Sequence, residues 1–214
     1  MVDGYVVVKN FNEEKNKNEL WLQGTVVSNP RLDHSILSKD FYLFQMNVER
    51  DGGKGSDILP VYCDEELLQY VKKGEKLSLI GKIVTRFDEA DGKRKHIVKV
   101  KMKQLADFNG VADDINHFEF EGYMKEKFAI RDVSNGKHKI IDFKIVSKYN
   151  ENKNIFSCNA WDNVINEIVK IPDGAFVNGV GRLQKRDFVR LNKETGEQEN
   201  HTIYEVCVNQ IKCK

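Results

Sequence analysis

Aromatic and basic residues occur together in one segment of the second half of the chain. Phe188 is surrounded in the sequence by Arg182, Lys185, Arg186 and Arg190. Aromatic faces stack on nucleic-acid bases, at about 1–3 kcal/mol per base, while arginine and lysine neutralise phosphates. Residues of these two types in one predicted hairpin therefore indicate a surface for single-stranded nucleic acid.

A tryptophan lies upstream of this segment, in a stretch whose polarity alternates as it does in a half-buried strand. The alternation places Phe156, Cys158 and Ala160 on the inward face, and Asn159 and Trp161 on the outward face. Two interpretations of the tryptophan are open. It stacks on a base beside the basic residues, or it is a core side chain and the basic residues form a solvated surface.

The two halves of the chain repeat the same order of elements. Residues 20–24 correspond to residues 118–122, and Gly81 corresponds to Gly181. In each half three strands precede a short helix, and two strands joined by a polar hairpin follow it. This is the order of the OB fold, a five-stranded Greek-key barrel.

The repeat predicts an all-β protein of two tandem OB domains, with one short helix in each domain. We expect residues 1–110 to form the first domain, which is diverged and has a short N-terminal extension, and residues 111–214 to form the second. Asp64 and Asp162 are expected to cap the two helices, because a short carboxylate accepts the free N–H groups of a first turn.

Five segments, which together span nearly the whole chain from about residue 18 to residue 213, resemble the bacterial and phage single-stranded DNA-binding protein (SSB) family. Residues 22–32, 44–50, 158–161, 181–188 and 205–206 are similar to the opening, second, third, fourth and final strands of that family. The resemblance implies a non-catalytic protein that binds single-stranded DNA largely independently of sequence and protects it in replication, repair, recombination or transfer. It also implies that Trp161 and Phe188 stack on bases.

The resemblance also implies how the chains assemble. Typical members of the family have one OB domain in each chain and assemble as tetramers. By analogy, a chain with two such domains presents four of them as a homodimer. The expected partners are therefore single-stranded DNA and a second copy of this chain.

The first half departs from the family pattern. By spacing, Cys63 takes the place of Trp161 and Asp88 takes the place of Phe188, so that Phe87 comes one residue early. A shift of one residue in a strand turns a side chain to the opposite face. The sequence therefore does not identify the stacking residues of the first domain.

The other predicted DNA contacts are basic or aromatic residues at strand ends and in the first hairpin. They are Arg50, Arg86, Phe87, Lys93, Arg94, Lys95, Lys99 and Lys101 in the first half, and Lys148 and Tyr149 in the second. The lysines at 99 and 101 alternate with apolar residues, and this stripe has two interpretations. It tracks phosphates, or it protects an edge strand from aggregation.

A second tryptophan has two possible settings. Trp21 alternates with Leu20 and Leu22 and is expected to face away from the core. It stacks on a base or fills a subunit interface, and the interface is the favoured interpretation because amphipathic rings are enriched there.

The composition limits what else the protein does. The net charge is +1 over 214 residues, so any attraction for nucleic acid depends on local groups of basic residues. The four cysteines form no C-x-x-C pair and the five histidines lack metal-ligand spacing, so we predict that the protein binds no metal and no cofactor. The cysteines are expected to be buried thiols in a reducing cytoplasm.

No P-loop or nucleophile elbow is present, so we predict no enzymatic activity and no small-molecule substrate. No apolar stretch approaches the roughly 20 residues that span a bilayer.

A competing hypothesis assigns a protein-interaction function to the same fold. OB folds host many functions, so the chain is alternatively a protein-interaction or assembly module of a replication or primosome complex. The low net charge and the loss of stacking residues from the first half favour this alternative.

Overall fold

The computed structural model describes residues 16–53, 55–90, 93–107, 113–149, 152–192 and 196–214. The first half contains β1 (Asn18–Val26), β2 (Arg31–Ile36), β3 (Lys39–Glu49), β4 (Ser56–Asp64), α1 (Glu65–Leu68), β5 (Lys76–Ala90) and β6 (Lys93–Leu105). The second half contains β7 (Ile115–Lys127), β8 (Arg131–Val133), β9 (His138–Tyr149), β10 (Asn152–Trp161), α2 (Ile165–Lys170), β11 (Phe176–Leu191) and β12 (Gln198–Cys213). Short 3-10 turns, Asp51–Gly53 and Asp162–Val164, precede β4 and α2.

The predicted order of strands and helices is confirmed, with one short strand added to each half. The additional strands are β2 and β8, and each pairs with the strand that follows it. Neighbours in the sheet follow the order β2-β3-β4-β6-β5-β1-β7-β11-β12-β10-β9-β8, and β1 also pairs with β3 as β7 does with β9. The order is the same from either end once corresponding strands are matched, so an approximate twofold rotation relates the two halves.

One face of every strand except the short strands β2 and β8 packs into a barrel core. Leu20, Phe44 and Met46 are almost fully buried in the first half, as are Phe118 and Phe143 in the second. Fully burying a side chain of this kind contributes about 1.5–3 kcal/mol. The predicted inward face of β10 is confirmed, because residues 156, 158 and 160 are all buried. The side of each strand that points away from the core is termed the outer face.

The pairing of the strands corrects the alignment of the two halves by one residue. Val61 of β4 and Cys158 of β10 lie opposite matching valines of their parallel neighbours, β6 and β12. Three residues further along each strand, Trp161 corresponds to Asp64 and not to Cys63. The predicted correspondence of Cys63 with Trp161 assumed equal spacing in the two halves. It is wrong because the connection before β4 is longer than the connection before β10.

The two halves are joined edge to edge by β1 and β7. These strands pair antiparallel over six residue pairs, with Leu20 opposite Phe118. Leu20 and Phe118 are corresponding residues of the repeat, so the approximate twofold axis passes through this pair. Neither strand is left with a free edge, since β5 and β11 cover the other sides. The predicted boundary at residue 110 lies outside the described residues and stays a prediction.

Two further hydrogen bonds follow the same symmetry. The backbone N–H of Lys185 donates to Oδ1 of Asp57 at 2.8 Å, and the backbone N–H of Thr85 donates to Oδ1 of Asn154 at 2.9 Å. Asp57 and Asn154 lie near the starts of the corresponding strands β4 and β10. Each long strand, β5 or β11, is thereby attached to the opposite half.

Asp57 holds two arginines in addition to this N–H group. Its side chain is 1% exposed, and it accepts Nε and Nη2 of Arg50 at 2.8 and 2.6 Å and Nη1 of Arg182 at 3.2 Å. The hydrogen bonds to Asp57 raise the pKa of Arg50 above its ordinary value. Because Arg50 belongs to one half and Arg182 to the other, this carboxylate bridges the two halves.

Replacing Asp57 with alanine is expected to destabilise the protein by roughly 3 kcal/mol, the lower end for a broken buried ion pair, because both arginines remain partly exposed. The free energy of unfolding from urea denaturation measures the loss. The matched control is Asp51→Ala, which removes an exposed carboxylate close to the same strand and is expected to cost less than about 0.5 kcal/mol. Equal losses in the two variants would contradict the bridging role.

Candidate nucleic-acid interface

Trp161 ends β10 on the outer face of the second half. It is 38% exposed, so the interpretation of this residue as a core side chain is wrong. The indole meets the imidazole of His138 edge to face, with 6.4 Å between the ring centroids. The position leaves a large aromatic surface in contact with solvent at one end of the sheet.

The neighbouring carboxylate fixes the surroundings of this indole. Asp162 accepts the backbone N–H of Lys139 at 2.9 Å and lies 2.8 Å from Nδ1 of His138. The hydrogen bond from Lys139, helped by His138, lowers the pKa of Asp162. The predicted capping role of Asp162 is wrong because β9 engages its carboxylate, whereas Asp64 caps α1 as predicted by accepting the Leu67 N–H at 3.3 Å.

The basic cluster of the β11–β12 hairpin is divided between two faces. Arg186, Phe188 and Arg190 share the outer face. Lys185 lies on the opposite side, where its Nζ joins an ion pair at 2.8 Å. Arg182 is held at the bridge between the halves. The structure therefore keeps three of the five predicted residues of this cluster together.

The ring of Phe188 is held between a histidine and an arginine. It stacks on His201, with centroids 5.5 Å apart and 20° between the planes, and the Arg186 guanidinium lies 5.3 Å from its centroid. Arg186 also forms a bidentate ion pair with Glu205, at 2.8 and 3.1 Å. The hydrogen bonds to Glu205 raise the pKa of Arg186. The guanidinium is thus fixed beside a half-buried ring.

Trp161 and Phe188 occupy opposite ends of the outer face of the second half. Asn159 lies opposite Cys207 across β10 and β12, and Phe188 lies opposite His201 across β11 and β12. Along β12 the two rings are therefore eight residue positions apart, roughly 26 Å at about 3.3 Å per residue. A nucleic-acid strand that reaches both rings has to cross the whole face between them.

Two exposed rings near the same face were missed by the sequence reasoning. Phe128 and Tyr123 each have a lysine of β9 over the ring, with Nζ of Lys144 at 5.1 Å and Nζ of Lys148 at 5.4 Å from the centroids. Ring and lysine lie far apart in the chain, and only the pairing of β7 with β9 brings them together. Lys148 was a predicted contact, and the side chain of Tyr149 lies outside the described residues.

The predicted aromatic contact of the first hairpin lies on a different side from its counterpart. Phe87 is exposed and stacks on His96 with centroids 4.7 Å apart. It shares the strand face of a core residue, whereas Phe188 lies on the outer face, as a shift of one residue predicts. Arg86 is exposed and pairs with Asp88 at 3.4 Å.

The lysine stripe of the first half lies in the interior of the sheet. Nζ of Lys99 is 2.6 and 2.7 Å from the oxygens of Asp33, and Nζ of Lys101 is 4.9 Å from the centroid of Phe41. The interpretation as a protected edge strand is wrong, because β6 lies between β4 and β5. Of the remaining predicted contacts, Lys95 is exposed, Arg50 is held by Asp57, and the side chains of Lys93 and Arg94 lie outside the described residues.

Trp21 lies on the outer face of β1, at the joint between the halves. Its centroid is 5.3 Å from that of His117 on β7, and Nζ of Lys17 is 5.9 Å from the ring. The ring is half-buried. The interface that it fills is the one between the two halves of the same chain.

The described residues contain no group of three histidine, cysteine or acidic side chains placed to hold a metal ion. Within the same ranges, no helix is long and apolar enough to cross a membrane. Cys63, Cys158 and Cys207 are buried, and burial raises the pKa of the Cys63 thiol to about 12. That thiol is therefore protonated and unreactive at neutral pH.

Comparison with known proteins identifies the fold. No protein-family model matches the chain, and no curated protein matches its sequence. The wild-type single-stranded DNA-binding protein from Thermus aquaticus is similar in structure, with a TM-score of 0.70 and 15% identity over 94% of both chains. A deletion mutant of that protein gives 0.71 and 15% identity, over 94% of this chain and 96% of the other.

The chain shares this fold. The predicted class, an all-β protein of two tandem OB domains, is thereby confirmed. The likeness of fold to these two structures extends over 94% of this chain.

His96 is expected to make the stability of the protein depend on pH. Burial lowers the pKa of His96 below its ordinary value of 6.5; the hydrogen bond to the Ile155 backbone opposes this effect, and the charge of Lys144 adds to it. The unfolded chain then binds a proton more readily than the folded chain, so stability falls as the pH drops below about 6.5. The slope is at most about 1.4 kcal/mol per pH unit.

Urea unfolding between about pH 7.5 and pH 5 measures this slope. His96→Gln is expected to flatten it, while His138→Gln, which removes an exposed histidine, retains it. A slope that persists unchanged in His96→Gln would show that another group is responsible.

Proposed function

We propose that this chain binds single-stranded DNA, largely independently of sequence and without modifying it. The observation that carries the proposal is the outer face of the second half, which has an aromatic ring at each end and basic side chains between them. OB folds bind oligonucleotides on the face of their second and third strands, which are β9 and β10 here. The two structures of similar fold are single-stranded DNA-binding proteins by name, which supports the proposal.

The outer face of the second half supplies both kinds of contact that a single strand needs. Trp161, Phe128 and Phe188 offer ring surfaces, and every base has a face that can stack on them. Lys144 lies beside Phe128 and Arg186 beside Phe188, so positive charge accompanies two of the three rings. Stacking of this kind tolerates any base sequence, which is why we propose sequence-independent binding.

Acidic side chains partly neutralise the positive charge of this face. Lys144 pairs with Glu126 at 2.8 Å, and Arg186 pairs with Glu205 at 2.8 Å. A phosphate that binds here shares its cation with a carboxylate, so fewer counterions are released than from free lysines. We infer that stacking contributes more to affinity than charge does, in line with the net charge of +1.

The biological setting follows from the family resemblance and belongs to the same proposal. We propose a cytoplasmic, non-catalytic protein that protects single-stranded DNA in replication, repair, recombination or transfer. As a homodimer it would present four OB domains. Light scattering is expected to give twice the mass of one chain, and a monomeric mass would contradict the dimer alone.

The second candidate function is a protein-interaction or assembly module on the same fold. It is favoured by the bridge at Asp57, which engages Arg50 and Arg182, two of the predicted DNA contacts. Anisotropy of labelled oligothymidine at low salt separates the two candidates. Saturable binding supports the proposed function, and its absence favours the module.

Trp161→Ala and Phe188→Ala are each expected to weaken oligothymidine binding by about 1–3 kcal/mol, the contribution of one stacked base. Because the two rings lie eight residue positions apart along β12, the two losses are expected to add in the double variant. Anisotropy titrations of the single and double variants measure both terms.

The matched control for these titrations is Tyr70→Ala. Tyr70 is an exposed ring in the turn after α1, remote from β9 and β10 in the fold. Its removal is expected to leave the affinity unchanged. An unaltered affinity in the double variant would place the binding surface elsewhere on the molecule.

A further inference from the structure

The first half has rings of its own on the strands that correspond to β9 and β10, but they are covered. Phe41, Tyr62, Lys99 and Lys101 lie on the outer faces of β3, β4 and β6, and together they are termed the first-half face. Phe41 and Tyr62 are each 7% exposed, against 38% for Trp161. The first-half face therefore has the composition of a stacking surface without its accessibility.

Two neighbouring side chains of β2 cover this face. The imidazole of His34 stacks on Phe41, with centroids 4.9 Å apart and 13° between the planes, and meets the edge of Tyr62 at 5.4 Å. Both carboxylate oxygens of Asp33 accept hydrogen bonds from Nζ of Lys99, at 2.6 and 2.7 Å. One ring and one cation of the first-half face are thus already occupied from within the chain.

An irregularity in the pairing of β2 makes it possible for Asp33 to contact Lys99 of β6. β3 and β4 separate β2 from β6 in the sheet, so the two strands would lie roughly 14 Å apart on a flat surface. The register of β2 against β3 shifts between Leu32 and His34, which releases Asp33 from regular pairing. The ion pair with Lys99 then requires β2 to fold over the outer side of β4.

Apolar burial contributes little to the position of β2. None of its six residues is buried, and Leu32 and Ile36 are more than half exposed. It is the last strand of the sheet, and β3 is its neighbour in the described part of the chain. The contacts that hold it over the face are ionic and aromatic, which are the kinds of contact that a nucleic acid also makes.

Asp33 and His34 reproduce the contacts of one nucleotide. The carboxylate lies on a lysine as a phosphate would, and the imidazole lies on a phenylalanine as a base would. Burial by itself raises the pKa of Asp33, but hydrogen bonds from Lys99 and His34 outweigh it and leave the pKa below its ordinary value. The carboxylate is therefore ionised at neutral pH and presents the charge that a phosphate would present.

The second half has a cation at the corresponding place. His34 lies opposite Phe41 in the pairing of β2 with β3, and Arg131 lies opposite Ile140 in the pairing of β8 with β9. Arg131 pairs with Asp142 of its own half. β8 also has three residues where β2 has six. The nucleotide-like pair is thus a feature of the first half.

We propose that Asp33 and His34 act as an internal substitute for a nucleotide, which keeps the first-half face closed until single-stranded DNA displaces β2. The proposal rests on the proposed function, because it assigns a second and regulated face to the same ligand. When β2 is displaced, Phe41 and Tyr62 become available for stacking and Lys99 for a phosphate.

The test uses the double variant Trp161→Ala/Phe188→Ala as its background, because that variant lacks the stacking rings at both ends of the outer face of the second half. Adding Asp33→Asn and His34→Ala to it opens the first-half face. Affinity for labelled oligothymidine is expected to rise about tenfold if the closed face is open one tenth of the time. An unchanged affinity in this open variant would overturn the proposal.

Two controls separate a specific opening from a simple change of charge. Asp132→Asn removes an exposed carboxylate from β8 in the same background, and it is expected to change affinity less than about threefold. Adding Phe41→Ala to the open variant is expected to abolish the gain. A gain of equal size with Asp132→Asn, or a gain that survives Phe41→Ala, would also overturn the proposal.

Hydrogen exchange on the unmodified chain gives a second measurement that depends on no variant. The amides of residues 31–36 are expected to exchange faster when oligothymidine is added in excess, whereas the amides of β8 do not. Oligothymidine that binds without this acceleration overturns the internal substitute and leaves the proposed function intact. A wild-type chain that does not bind oligothymidine at all removes the proposed function, and the internal substitute with it.

Discussion

The antiparallel pairing of β1 with β7 is the constraint on which the rest of the structure depends. Its central pair, Leu20 opposite Phe118, joins corresponding residues of the repeat, so the two barrels share one sheet and one approximate twofold axis. This pairing allows the long strands β5 and β11 to extend to the opposite halves, where their backbone N–H groups donate hydrogen bonds to Asn154 and Asp57. Separation of the halves would expose two strand edges and leave a buried carboxylate without its full set of partners.

The side chains do not follow the symmetry of the backbone. Asn154 and Asp57 make the same contact to a backbone N–H, but only the carboxylate also gathers two arginines. At the ends of β10 and β4, Trp161 is exposed to solvent while Asp64 caps a helix. A small number of substitutions on a common frame therefore gives one half an open aromatic face and the other a face covered by its own strand.

The frame could be predicted from the sequence because its signals are local. Alternation along β10 identified its buried side, and the cap at Asp64 is a contact between residues three positions apart. The parts that could not be predicted depend on contacts between strands. Asp162 precedes a helix just as Asp64 does, but its carboxylate accepts a hydrogen bond from the Lys139 N–H of β9 and does not cap the helix. Likewise, Phe128 and Lys144 meet only through the pairing of β7 with β9, and nothing in their spacing reveals it.

The joint between β1 and β7 also determines how a long strand of DNA would be retained. Once one face has bound, a hydrogen-bonded sheet rather than a flexible linker holds the other at a set distance. The second contact is then intramolecular, and geometry sets its effective concentration. If both faces bind DNA as proposed, their affinities would combine without any new contact, provided that the strand is long enough to span them. The length of exposed DNA, and not only its presence, would then decide how firmly the protein stays on it.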